Sequence, residues 1–243
     1  MFLAATVPLM CREKEHNQQT PTHMFHKIVV GGNYSKESSN VFHEVLVQLK
    51  EDLQQKEKVP DYFVHSAGTG GTISSVGRYV KRYNLRTRIV LADSQYSLFY
   101  DYAISNKFTN ESGTKIWKAP GIAGTGYGNN VDPVIYGETT SLTRSVVDES
   151  MKMPDIASVA AMYVLKNRGI GGGASTALNF LVSLHKAWHG RKVRGRLTIV
   201  TIIGDPGEYY KATYFNSTWI NEKFADEGGM KALKCWRKVR WRK

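Results

Sequence analysis

The stretch that most constrains this chain runs from Tyr62 to Arg82. Tyr62-Phe63-Val64-His65-Ser66 is a run of β-formers that stops at a small polar residue, and Gly68-Thr69-Gly70-Gly71-Thr72 follows at once. Ile73, Val76, Tyr79 and Val80 then recur at helical spacing, with Arg78, Lys81 and Arg82 on the opposite face. The pattern predicts a strand, a glycine-rich turn and a helix. A turn of this kind leaves backbone N–H groups without partners at a helix N-terminus, where they and the helix dipole favour an anion such as a phosphate. Glycines allow close approach of the backbone, and the hydroxyls of Thr69 and Thr72 add donors. The order fits neither a Walker loop nor the Gly-x-Gly-x-x-Gly dinucleotide fingerprint. A turn selected only for tight strand–helix packing would use the same glycines.

The flanking sequence repeats the alternation. Asn40 reads as an N-cap for a helix with Val41, Phe42, Val45, Leu46, Leu49 and Leu53 on one face, running to about Lys58. Arg88–Asp93 is a short buried strand, and a helix begins at Leu98. Gly121–Gly128 reads as a loop, Val134-Ile135-Tyr136 as a short strand, and Pro154 as a helix start. Gly169–Ser175 closes that helix and opens another, a second glycine-rich helix start. Leu197–Ile203 is the clearest strand, halted by Gly204-Asp205-Pro206-Gly207, and Tyr209–Phe224 reads as helical. Lys27–Val30 is a further strand candidate, with a turn at Gly31-Gly32-Asn33. Alternating elements of this length predict an α/β fold, an open, mostly parallel sheet with helices on both faces. Ligands of such sheets sit at the carboxyl ends of strands, where the Gly68, Gly172 and Gly204 turns all fall.

Charge and composition exclude some classes. No run approaches the roughly 18 apolar residues of a membrane span. Cys11 and Cys235 lie far apart without metal-ligand spacing, which predicts a disulfide-free cytoplasmic protein binding no metal. The net charge of +12 draws on a cluster after Glu227, namely Lys231, Lys234, Arg237, Lys238, Arg240, Arg242 and Lys243. With Trp236 and Trp241 interleaved it could be a nucleic-acid tail. The preferred expectation is a frayed helix with a solvated basic face, because no base-reading motif accompanies it. His65 reads as a packed histidine rather than a base.

Gly68–Tyr79 closely resembles the cofactor-phosphate loop of the cysteine synthase / cystathionine β-synthase family, specifically its nematode cysteine-synthase-like branch. The resemblance covers about residues 40–226, leaving 1–39 as an atypical N-terminal segment and 227–243 as a basic helix or tail. It implies the large domain of the pyridoxal-phosphate fold type II and pyridoxal 5′-phosphate as cofactor. Gly68, Thr69, Gly70, Gly71 and Thr72 match the segment that binds its phosphate, and Gly172 the segment that lines its ring. Gly121, Ile122 and Gly124 match the loop beside the substrate. The family serine that meets the pyridine nitrogen falls on Pro206, which leaves Asp205 or a water for that role. The implied activity is transferase or lyase chemistry in cysteine biosynthesis, β-replacement on serine or O-acetylserine, with an amino acid as substrate.

One departure bears on all of this. The family's cofactor-anchoring lysine lies in a Ser-x-Lys-Asp-Arg segment, followed by a Ser/Thr-Gly-Asn-Thr-Gly substrate loop, and nothing in residues 1–39 resembles either. That lysine both holds the cofactor and shuttles the α-proton. Lys27 leads into a strand and is not taken as a substitute, so no catalytic residue is assigned. The small domain is expected to be largely missing, which makes the chain inactive alone and favours a homodimer over its bare apolar face. The alternative is a non-catalytic homologue that binds or regulates.

Overall fold

The computed structural model describes residues 40–53, 59–108, 119–128, 141–190 and 197–238. The strand and turn expected at 27–33, the strand at 134–136, Lys27, Cys11 and the last basic residues from 239 onward lie outside them.

The sheet is built from β1 (Tyr62–Ser66), β2 (Arg88–Ser94), β3 (Glu149–Met153) and β4 (Ile199–Val200), in the order β3-β2-β1-β4, every pair parallel. Alternation along the central strands sorts their side chains onto two faces. Phe63, Ile89 and Leu91 point to one face, where they pack with Phe42 and Leu49 of α1 (Val41–Leu53), Ile73, Val76 and Val80 of α2 (Gly71–Arg82), and Phe99 of α3 (Phe99–Ser105). Tyr62, Val64, Val90 and Ala92 point to the other, against Leu178 and Val182 of α5 (Ala174–Gly190). Both faces are therefore covered, as a parallel sheet requires. Phe63 is fully buried, and burial of such a side chain contributes roughly 1.5–3 kcal/mol.

Behind α5 lies a second helical layer. α4 (Asp155–Lys166) supplies Ile156, Val159 and Met162, which pack with Ala177 and Leu181 of α5, Ile220 of α6 (Ser217–Lys223) and Leu233 of α7 (Gly229–Lys238). Pro154 occupies the N-cap position of α4, and the Glu227 carboxylate accepts from the Ile156 N–H in its first turn. In α7 the basic side chains face solvent, while Leu233 is completely buried. Arg237 lies over the Tyr163 ring, 4.9 Å from its centroid.

Three elements differ from the sequence reading. Regular pairing of the Leu197–Ile203 strand is confined to Ile199–Val200. Beyond it the chain bends toward the start of α5, where Gly204 N–H donates to Thr176 Oγ1 at 3.2 Å. The Tyr209–Phe224 stretch is not one helix. A 3₁₀ turn at Gly207–Tyr210 is followed by irregular chain, and α6 begins only where the Asn216 carboxamide accepts from Thr218 and Trp219 N–H. Strand β3 was not anticipated. Its five residues are all half-buried on a sheet edge, and only Met151 and Met153, which pack on one face, alternate with Ser150 and Lys152, too short a run to read as a strand.

Candidate functional site

The site is assembled from loops at the carboxyl ends of the strands. After β1, the chain passes Gly68, which is exposed, and Thr69, which is half-buried, to Gly70, which takes a left-handed φ of 86° at the N-cap of α2. No side chain caps this helix, and its first turn carries no acid. Ser74 N–H donates back to Gly70 O at 3.1 Å, but the N–H groups of Gly71, Thr72 and Ile73 have no acceptor within the helix. This is a cradle of donors at the positive end of a helix. The cradle is also narrow. A Cβ on Gly70 would lie 2.5 Å from the Cα of Leu142, and one on Gly68 would strike the Gly124 carbonyl oxygen. Thr143 N–H donates to Ser74 Oγ at 2.7 Å and Arg78 donates to Thr143 Oγ1 at 2.9 Å, bracing α2 from behind.

The Gly121–Gly128 loop closes over the cradle. Gly126 N–H donates to the Ala67 carbonyl at 2.7 Å, which joins this loop directly to the end of β1. Its other end is held by Asp155, the first residue of α4. Gly121 N–H donates to one carboxylate oxygen at 2.5 Å and Ser94 Oγ to the other at 2.5 Å. Tyr214 adds two bonds: its hydroxyl donates to Gly121 O at 2.8 Å and accepts from Ala123 N–H at 2.7 Å. Burial pushes the Tyr214 phenol up to about 12, so it stays a neutral donor at ordinary pH. Ile122 is buried in the core, whereas Gly124 is exposed. Between Gly124 and Gly126 sits Thr125, 4% exposed, whose hydroxyl has no hydrogen-bond partner among the described residues. A buried hydroxyl of that kind is a place for a ligand to bond.

The third part joins the start of α5 to the turn after β4. Gly172 and Pro206 form an antiparallel bridge, Gly173 N–H donates to Asp205 O at 3.0 Å, and Gly207 N–H donates to Gly171 O at 2.7 Å. Tyr210 donates its hydroxyl to the Asp205 carboxylate, and a Cβ on Gly173 would run into that same carboxylate. Burial first, and Asp205 next, hold the Tyr210 phenol well above its ordinary range. The Tyr210 and Tyr214 rings lie 4.9 Å apart, linking the Asp205 turn to the Gly121 loop.

The structure thus places Gly68–Thr72 beside Gly124, and Gly172 beside Pro206, and connects the two groups through Tyr214 and Tyr210. Pro206 has neither an N–H nor a side-chain donor, while the Asp205 carboxylate is already engaged by Tyr210. His65 lies along β1, stacked on Phe63 at 4° between ring planes, with Nδ1 2.5 Å from the Ser66 carbonyl. Burial lowers its pKa, opposed by that carbonyl. Asp93 is the penultimate residue of β2 and is fully buried. Desolvation raises its carboxyl to about 7 against bonds from Ser97, Tyr100 and Ser94 and the charge of Lys152. Lysines with resolved partners are committed elsewhere: Lys81 to Asp148, Lys152 to Asp101 and Lys186 to Glu149. Among the described residues no cluster of three metal-ligating side chains occurs, and no helix is long and apolar enough to cross a membrane.

Asp155, Tyr214 and Thr125 were missed by sequence reasoning. Asp155 carried only the signal of an acid after a helix-starting proline, and Tyr214 sat in a stretch read as helix.

A family model described as pyridoxal-phosphate dependent enzyme matches residues 21–205, which includes the cradle, the Gly121 loop and Gly172 and stops at Asp205. A Caenorhabditis elegans protein named for pyridoxal-phosphate dependence is 59% identical over 212 residues, 86% of this chain and 49% of the relative. The L-cysteine desulfhydrase Cds1 of Mycobacterium tuberculosis is 28% identical over 84% of this chain and 52% of its own length. A cysteine synthase of Dictyostelium discoideum is 27% identical over 71% of this chain and 44% of its own. The chain spans about half the length of these curated relatives.

Proposed function

Because the chain belongs to the pyridoxal-phosphate dependent enzyme family, we propose that it grips pyridoxal 5′-phosphate by its phosphate group at the N-terminus of α2 and serves sulfur amino-acid chemistry. The observation that carries this reading is the uncapped helix start after Gly70, with glycine backbone on both sides and no acid in the first turn. A doubly charged ester fits there, since the three N–H groups and the hydroxyls of Thr69 and Thr72 are donors only or can turn to donate. When bound, the cofactor supplies an electron sink for cleavage at the α-carbon of an amino acid. The chain's own share is positional. Gly121, Ile122 and Gly124 shape the loop that borders the amino acid, and the Gly172–Pro206 bridge backs the cofactor ring. Asp205, held by Tyr210, stands in for the hydroxyl that Pro206 does not offer.

The reaction class proposed is β-replacement on serine or O-acetylserine: loss of the α-proton, departure of the β-substituent, and addition of sulfide or a thiol. The relatives named cysteine synthase and L-cysteine desulfhydrase support sulfur amino acids as the substrate class. No stretch of the sequence resembles the Ser-x-Lys-Asp-Arg segment. We therefore propose that this chain alone binds the cofactor without covalent attachment and does not turn over. An apolar face shared between two copies is proposed as its oligomeric contact, and the cytoplasm as its compartment.

Titration of the purified chain with pyridoxal 5′-phosphate, followed by tryptophan fluorescence, tests the reading. Saturable binding that inorganic phosphate displaces, and that pyridoxal without its phosphate does not reproduce, is the expected result. Borohydride treatment and peptide mass mapping should find no labelled lysine. A labelled lysine would overturn the proposed lack of an anchor, and binding indifferent to phosphate would overturn the cradle.

A further inference from the structure

The Gly121–Tyr127 loop is fixed at both ends and turns through left-handed glycines in the middle. At one end Gly121 is held through its N–H by Asp155 and through its carbonyl by Tyr214, and at the other Gly126 N–H is held by Ala67. Between them Gly124 and Gly126 take φ values of 66° and 78°, so Thr125 is carried on two left-handed hinges. Its hydroxyl ends up buried with no partner among the described residues, a state that costs free energy unless something else completes the bond.

Tyr214 is the group that sets the near end. It is 3% exposed, and its single hydroxyl bonds both Gly121 O and Ala123 N–H, so it locks two residues rather than one. It lies beyond residues 21–205, the part matched by the family model. We propose that Tyr214 is a positioning residue that holds this loop so that the Thr125 hydroxyl meets the α-carboxylate of a bound amino acid. This rests on the reading that the loop borders the substrate.

Tyr214→Phe tests the tether, because it keeps the ring packed on Tyr210 and Trp219 and removes only the hydroxyl. Hydrogen exchange on the ligand-free chain should be faster at Ala123 in the variant and unchanged through α2. With pyridoxal 5′-phosphate and then L-serine titrated in, cofactor affinity should stay within about twofold of the parent while L-serine affinity falls about tenfold, the worth of one good hydrogen bond. Thr125→Val should reproduce the L-serine loss and leave Ala123 exchange as it was. Unchanged Ala123 exchange in Tyr214→Phe overturns the tether. L-serine affinity unmoved by either variant, or cofactor and L-serine affinity falling together, overturns the positioning role. Failure of the parent chain to bind the cofactor overturns the cofactor reading instead, while ligand-free exchange still decides the tether.

Discussion

Replacing Gly70 by alanine is the sharpest probe of the cradle. The substitution forces an L-residue to hold a φ of 86°, at a cost of about 1–2 kcal/mol. The new methyl would also sit 2.5 Å from both Cα and Cβ of Leu142 and 2.6 Å from its N, so a segment of backbone must move. Overpacking of that kind typically costs about 1–3 kcal/mol. Loss of glycine's freedom in the unfolded chain returns about 0.4–1 kcal/mol. The net expectation is a loss of about 1–5 kcal/mol, a large part of the total stability of a domain. Urea unfolding followed by far-UV circular dichroism reads it as a lower midpoint with an unchanged slope. Because Leu142 lies against the cradle, pyridoxal 5′-phosphate affinity should fall as well, measured below the unfolding transition. A midpoint that moves by less than the equivalent of about 1 kcal/mol would refute the reasoning, since the smallest strain and overpacking costs together, about 2 kcal/mol, less the largest offset, about 1 kcal/mol, still leave that much.

Two other outcomes follow from buried groups. Leu233→Ala, on the basic helix α7, should cost about 2–5 kcal/mol by thermal or urea unfolding, because the side chain is fully enclosed by the α4–α6 layer; a cost near zero would mean that α7 is not part of the core. Asp93 provides a pH signature: its carboxyl rises from 3.8 to about 7 on folding, so between those values the folded chain holds a proton that the unfolded chain has released. Its contribution is complete below the lower value and is lost as pH rises through the upper one, so stability measured across this window should decline with pH in the parent and flatten in Asp93→Asn.

Most of the cradle was legible because its signals are local. Strand, glycines and helix lie within Tyr62–Arg82, and the apolar spacing of Ile73, Val76 and Val80 is what buries α2 on the sheet. The same holds for α4 after Pro154 and for β2. What could not be read depends on partners distant in sequence. Asp155 acts on Gly121, 34 residues away, and Tyr214 on the same glycine across 93. A tyrosine in an aromatic-rich stretch gives no sign of such a bond. The shortening of β4 has the same origin, since Gly204 and Asp205 bond to the start of α5 in place of continuing the ladder. Strand β3 escaped because its alternation is confined to Met151 and Met153, too short a run to register beside Glu149, Ser150 and Lys152.

The bonds from Tyr214 and the seat of Phe224 beside Gly121 also impose an order of events during synthesis. A nascent chain can wind α2 onto β1 and β2 as soon as they emerge, from contacts close in sequence. The Gly121 loop must wait, because Tyr214 follows it by 93 residues and Phe224 lies further still along the chain. Maturation of the pocket therefore trails the winding of α2, and it is sensitive to anything that delays the segment from Tyr214 to Phe224.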